Sequence, residues 1–524
     1  MDRCNALNII PKPVLWTPGH SVAAESGCLK FTGIPEIIGD GSFSGEINTF
    51  YEDLESDFGG KAAVRPEEKT KVSCQKTDGF PEEGYRLEIG AGGMTLSASA
   101  GAGLWHGLQT IRQLLLSGNG SSESQPECPF PAVGGADSSY CIPAGKMEDY
   151  PRFRWRGLML DCSRHFYSPG FIKKLLRALS LHHINIFHWH LTDDQGWRLP
   201  VKAYPLLTEI GSKRRDHRVH DRFTGGFYIE EDIRGIVAFA AARHIEVVPE
   251  VDLPGHTSSV LACYPGLGCT GGPYRVEDRF GIFEDVLCAG NDAIFDLGAA
   301  VFDTLAELFP SPYIHIGGDE VRFNRWEECP KCRKRLAETG LETPRELQSW
   351  ITVKYAKMLS ERGKIGIGWD EVLEDTEKYK LPKEVVVMSW RGKKGGLAAS
   401  SRGHHVIMAP NTEGCYLDYR HNDDPDELGR LNISRISSIY NMDPTDSMSG
   451  EEAGLVLGGQ GNLWSEVIYS GKIAEYMIFP RICALSEGLW SPREQKDLDD
   501  FARRLPAHQA RLEKLGILQY RGSF

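Results

Sequence analysis

Apolar residues in this chain gather in short runs that alternate with longer amphipathic stretches. Eight of the runs are rich in strand formers: "RGLMLD" from 156, "INIFHWHL" from 184, "IEVVPEVD" from 245, "YIHIGGDE" from 313, "KIGIGWDE" from 364, "EVVVMSW" from 384, "HHVIMAP" from 404 and "LVLGGQGNLWSE" from 455. Stretches with apolar residues at helical spacing, such as 170–181, 230–243, 291–309 and 344–362, separate several of them. Strands that alternate with helices imply a parallel sheet with right-handed crossovers, and eight such units predict a (β/α)8 TIM barrel. A doubly wound open sheet fits less well, because no glycine-rich phosphate turn follows the first strand.

Before 150 the pattern differs. Short strand-like runs mix with one helical stretch, "GLWHGLQTIRQLLL" at 103–116. "SGNGSSESQPECPFPAVGGADSS" then reads as a loop or linker. The expected organisation is a smaller α+β domain with linker at 1–150, a catalytic barrel at 151–495, and a C-terminal helical segment at 496–524 packing on the barrel.

Composition narrows the function classes. The 524 residues are 41% hydrophobic and 25% charged, as in soluble globular proteins. No apolar run reaches the length of a membrane span. Lys plus Arg number 59 against 72 Asp plus Glu, a net charge of −13 that disfavours nucleic acid and anionic membranes. The start, "MDRCNALNIIPKPVLW", has prolines where a signal peptide carries its apolar stretch, so a cytoplasmic location is expected. Thirteen cysteines leave at least one unpaired. "CPKC" at 329–332 lacks the matching second pair of a zinc site, so no metal site is expected there, and Cys269 and Cys288 are spaced to bridge across a loop.

The ends of the runs carry the candidate chemistry, because a barrel of this kind places its active site where strands run out at their C-terminal ends. In order they offer Asp161, Arg164 and His165; His188, His190, Asp193 and Asp194; Glu250, Asp252 and His256; Asp319 and Glu320; Trp369, Asp370 and Glu371; Trp390 and Arg391; Asn411, Tyr416 and Asp418; Trp464 and Glu466. Tryptophans beside carboxylates and an arginine suit a sugar, whose apolar faces stack on rings while its hydroxyls bond to charged groups.

"RGLMLDCSRHF", "NIFHWHLTDDQGWR", "EVDLPGHT", "HIGGDE", "GWDEV" and "GNLWSE" resemble, in order, the motifs of the β-N-acetylhexosaminidases of glycoside hydrolase family 20. The resemblance runs from about 150 to 490. It implies an exo-acting enzyme that removes terminal β-linked N-acetylhexosamine from a glycan, without cofactor or metal. It also implies a retaining mechanism in which the substrate's acetamido oxygen is the nucleophile, one of the exceptions to two-carboxylate glycosidase chemistry. By resemblance Glu320 is the general acid and base, and Asp319 orients the acetamido group. Arg164, Asp418 and Glu466 would bond sugar hydroxyls, Trp369, Trp390 and Trp464 would enclose the acetamido methyl group, and Tyr416 would donate to its carbonyl. Asp193 and His256 would tune Glu320, with Asp252 in support. The chain departs from some relatives in having no tryptophan between 391 and 463, where they offer a further stacking residue.

Two other readings use the same residues. "HWH" points His188 and His190 to one face of a strand, as in metal-dependent barrel hydrolases. A sugar-binding relative that had lost catalysis would not be expected to keep both Asp319 and Glu320.

Overall fold

The computed structural model describes residues 7–19, 28–58, 70–117, 139–215, 223–374 and 376–522. Most of the expected linker between 117 and 139 therefore lies outside the described residues.

All eight predicted strands form and close into one parallel barrel in chain order: β1 (Trp155–Asp161), β2 (Ile186–His190), β3 (Glu246–Glu250), β4 (Tyr313–His315), β5 (Ile365–Trp369), β6 (Val386–Ser389), β7 (Val406–Met408) and β8 (Val456–Leu463), which returns to pair with β1. β1 and β8 are buried along their whole length, as a sheet covered on one face by helices and filled on the other requires. The crossover helices begin where the chemistry allows. Ser168 accepts from Phe171 N at the start of Pro169–Leu181, and Thr343 with Glu346 forms a capping box ahead of Pro344–Ser360, each with proline in the first helical position.

The N-terminal part is a mixed six-stranded sheet, in the order Leu15–Pro18, Gly145–Asp149, Tyr85–Gly90, Gly93–Ala98, Lys71–Lys76, Glu36–Gly39. A separate ribbon, Cys28–Thr32 with Ser139–Pro143, carries a Cys28–Cys141 disulfide that the sequence did not reveal. The helix Gly101–Leu116 is buried from Gly103 onward on every side, because it lies between this sheet and the barrel helix Pro169–Leu181. Gly107 permits the approach: a Cβ there would stand 2.3 Å from Leu96 Cδ1. Trp105 Nε1 reaches across to Ser180 Oγ at 2.7 Å, and Arg156 of β1 pairs with Glu83 at 2.7 Å.

The C-terminal helix Leu498–Lys514 ties the two parts again. Arg504 grips Glu487 with both terminal nitrogens, at 2.9 and 2.7 Å, while Arg511 Nε donates to Ser117 Oγ at 2.7 Å.

Candidate active site

β4 ends early because the chain turns on glycine. Gly317 and Gly318 have φ of 66° and 94°, in the left-handed region that glycine enters without steric cost. Gly317 is also required by contact, since a Cβ there would lie 1.8 Å from Asp252 Oδ1. The turn closes on that carboxylate, which accepts from Gly318 N at 3.0 Å, and Gln348 Nε2 holds Gly318 O at 2.6 Å. So held, Glu320 adopts φ 52°, a conformation that costs a non-glycine residue about 1–3 kcal/mol.

His256, six residues beyond the end of β3, joins the two acids to the rest of the site. Its Nε2 lies 3.7 Å from Asp319 Oδ2 and 3.6 Å from Glu320 Oε2; its Nδ1 faces Asp194 at 3.1 Å and Asp193 at 3.3 Å. Burial disfavours the imidazolium, but Asp193 and the other acids outweigh it and raise the His256 pKa well above its usual value. Asp193 also faces Arg164 at 2.8 Å and His190 at 3.1 Å, and Arg164 is set by Gln195 and Asp161.

The two neighbouring acids titrate apart. Burial raises Glu320, but the positive charge of His256 3.6 Å away, aided by Arg164, holds it below the usual range. Burial and the charge of Asp252 push Asp319 well above it, and burial lifts Asp252 to about 7. Without substrate, a proton is therefore held by the Asp252–Asp319 pair and Glu320 is ionised. Asp252 thus acts on Asp319 and on the glycine turn rather than on Glu320.

Trp369, Trp390, Tyr416 and Trp464 wall the space beside these acids. Trp390 and Tyr416 are nearly parallel at 6.1 Å, Trp464 lies 5.9 Å from Trp369 and 6.3 Å from Tyr416, and Arg164 stacks 5.0 Å from the Trp464 ring. Each ring is positioned by a polar partner or a packed neighbour. Trp390 Nε1 donates to Glu371 at 2.9 Å, and Trp369 Nε1 donates to Glu250 at 2.9 Å. Burial, with the charges of Asp319 and Asp370, raises Glu371 to about 9.

His188 and His190 do share a face, and both turn to Glu250. That carboxylate lies 3.1 Å from His188 and 2.9 Å from His315, and it bonds His190 as well as Trp369. The "HWH" motif therefore forms a buried network beneath the aromatic wall.

Asp418 and Glu466 meet through a residue that the sequence did not single out. Arg430, on a short strand at Arg430–Ile433, bonds Asp418 through Nε and Glu466 through a terminal nitrogen at 3.1 Å. Asp418 Oδ1 and Glu466 Oε2 remain buried with no hydrogen-bond partner among the described residues. The acids, Arg164, the tryptophans and Tyr416 proposed from the sequence thus gather at the C-terminal mouth of the barrel, with Gln195 and Arg430 added by the structure. A cleft at the opposite mouth, lined by Glu83, Trp155, Glu246 and Tyr313, holds none of them.

Residues 153–493 match glycosyl hydrolase family 20, catalytic domain, and residues 6–150 match domain 2 of the same family. The chain belongs to glycosyl hydrolase family 20. Among its family-20 relatives, a β-hexosaminidase of Porphyromonas gingivalis is 39% identical over 83% of this chain and 54% of its own length, so the chain spans about half of that relative. An Akkermansia muciniphila β-hexosaminidase is 32% identical over 84% of this chain and 85% of its own. Of solved structures, the Vibrio harveyi family-20 exo β-N-acetylglucosaminidase in complex with N-acetylglucosamine superposes with a TM-score of 0.86 at 28% identity, covering 99% of this chain and 79% of that one. The Streptomyces plicatus N-acetyl-β-hexosaminidase in complex with Thio-NAglucal gives 0.82 at 28% identity, covering 99% and 97%.

Proposed function

We propose that this chain is an exo-acting β-N-acetylhexosaminidase, a glycosidase that removes terminal β-linked N-acetylglucosamine or N-acetylgalactosamine from a glycan with retention of configuration. The observation that carries this reading is the convergence of Asp319 and Glu320, neighbours on one turn, on a single imidazole nitrogen. An acid and a protein nucleophile must flank the scissile bond from opposite sides. Neighbours that share one partner suit a different division of labour, in which one acid moves a proton and the other aims a group of the substrate.

In that division Asp319 accepts the acetamido N–H and directs the acetamido oxygen at the anomeric carbon, while Glu320 protonates the leaving oxygen. An oxazolinium ring forms as the glycosidic bond breaks. Glu320, now a carboxylate, then takes a proton from the water that reopens the ring, which restores the acid and gives the retained product. Substrate binding redistributes the proton held in the free site. Asp319 acts as a carboxylate once it accepts the N–H, and a sugar closing over Glu320 removes the water that favours its ionised form. The rings of Trp369, Trp390 and Trp464 enclose the acetamido methyl group, and the Tyr416 hydroxyl donates to the acetamido carbonyl. Arg164 and the unpartnered oxygens of Asp418 and Glu466 bond the terminal hydroxyls, which closes the pocket to longer chains and makes cleavage one sugar at a time.

The names and bound ligands of the family-20 relatives support this reading. The test is hydrolysis of nitrophenyl N-acetyl-β-glucosaminide beside the corresponding glucoside, whose 2-hydroxyl offers no internal nucleophile. Turnover of the first and near inertness of the second are expected; comparable turnover of both, or a fluorosugar adduct on a carboxylate of the protein, would remove the substrate-assisted mechanism. Early release of internal oligosaccharides from a chitin-type chain would contradict exo action.

A further inference from the structure

Four cysteines from distant parts of the sequence meet beside the catalytic mouth. Cys269 and Cys288 flank the loop after β3, whose base is pinned where Gly268 bridges to Leu287. Cys329 and Cys332 are the ends of "CPKC", with Cys329 as the N-cap of the helix Pro330–Thr339. Their sulfurs stand 3.5 Å apart for Cys288–Cys332, 3.7 Å for Cys269–Cys332 and 3.8 Å for Cys288–Cys329, and all four lie within 4.8 Å of one another. Four thiolates held tetrahedrally at a zinc–sulfur distance of about 2.3 Å stand about 3.8 Å apart. The pair expected from spacing alone, Cys269 with Cys288, is one edge of this group.

The surrounding backbone is built for the cluster. A Cβ on Gly290 would lie 2.2 Å from the carbonyl carbon of Lys331 and 2.5 Å from Cys332 N, so glycine allows the chain after Cys288 to lie on the "CPKC" turn. Cys288, Cys329 and Cys332 are buried and Cys269 is half-buried. Four thiolates around a divalent cation carry a net negative charge, which the helix N-terminus and the adjacent Lys331, Arg333 and Lys334 offset.

We propose that Cys269, Cys288, Cys329 and Cys332 bind a single zinc ion as a structural site. The missing second pair of the "CPKC" motif is supplied by the β3 loop. The ion fastens that loop, which donates Glu277 N to Asp194 O at 3.0 Å and accepts from Gln195 at Arg279 O at 2.9 Å, to the segment following Asp319 and Glu320. Arg325 with Asp285 at 2.7 Å and Trp326 Nε1 with Leu287 O at 2.8 Å run parallel to it. Four closed thiolate ligands leave no open position for substrate, so the site holds two walls of the pocket together and takes no part in the reaction.

The test is metal analysis of the full-length protein purified without chelator. About one zinc per chain is expected, lost in a Cys329→Ser/Cys332→Ser variant. Since that variant may be unstable for other reasons, wild-type protein grown with cobalt provides a second readout, in which the sulfur-to-cobalt charge-transfer and d–d bands of a tetrahedral tetrathiolate centre are expected. Mass-spectrometric mapping distinguishes the alternatives. Disulfides among the four cysteines in freshly isolated protein, or four alkylatable thiols with no metal, would each overturn the proposal. None of these readouts depends on catalytic activity.

Discussion

Glu320 and His256 are both held at positive φ, 52° and 51°, and the carboxylate of one lies 3.6 Å from the imidazole of the other. Two residues without glycine's freedom are bent into a sparsely populated conformation so that their side chains meet, and such strain persists only where surrounding contacts over-determine it. Relieving it separates stability from catalysis. Glu320→Gly should be more stable than Glu320→Ala by about 1 kcal/mol in chemical denaturation, with both variants inactive toward poor leaving groups. Equal stabilities would mean that the turn relaxes at no cost.

Glu320→Gln should lower kcat by roughly 10²- to 10⁴-fold, the usual size of a general-acid contribution. The loss should be smaller for a nitrophenolate leaving group, which departs without a proton. Kinetics on an alkyl and an aryl glycoside compare the two; equal losses would take the acid role from Glu320.

Asp319→Asn should slow acetamido substrates and weaken a thiazoline that mimics the cyclised intermediate, because the amide no longer accepts the acetamido N–H as a carboxylate does and cannot stabilise the positive charge that develops on the ring. Inhibition constants measured beside kcat/KM check it. A variant slow in turnover that binds the thiazoline as tightly as wild type would detach Asp319 from the acetamide.

Glu371, raised to about 9 by burial and by the charges of Asp319 and Asp370, retains a proton that the unfolded chain releases above its ordinary value of 4.5. Between these values the folded state binds the extra proton, so its contribution to stability falls as pH rises, by at most about 1.4 kcal/mol per pH unit. Glu371→Gln removes that dependence. The stability of the variant relative to wild type should grow from pH 5 to pH 8 in urea denaturation, and a flat difference would show that Glu371 is ionised in the fold.

Arg430→Ala leaves the buried Asp418 and half-buried Glu466 carboxylates without their shared cation. A fall in kcat/KM of about 10- to 100-fold is expected, mostly in KM, as for loss of a charged hydrogen bond of about 1.5–3 kcal/mol. Arg430→Lys should recover only part, since an ammonium cannot present the two directed contacts of a guanidinium. Unchanged KM in both variants would separate this trio from sugar binding.

The barrel was legible because its strands are buried on both faces and read as apolar runs, and because each run ends in chemistry that a solvent-facing strand has no reason to carry. The residues missed are those whose partners are distant in sequence. Arg430 gains meaning only when a short strand brings it between Asp418 and Glu466, and Glu250 looks like one more strand-end acid until His188, His190, His315 and Trp369 are seen around it. "CPKC" was read as half a motif because its other half lies 41 or more residues earlier, and Cys28 with Cys141 spans 113 residues. Local periodicity carries no trace of such meetings.

Trp490 closes the helix Arg481–Trp490, the second after the last barrel strand, yet its ring packs in the core of the N-terminal part, 4.9 Å from His106 and 4.2 Å from His183, with Nε1 donating to Asp149 at 2.8 Å. A shared core residue of this kind, beside a helix buried on both sides, leaves neither part a complete surface of its own. The molecule should melt in one calorimetric transition, and a fragment cut at residue 150 should aggregate in place of surviving as a smaller enzyme.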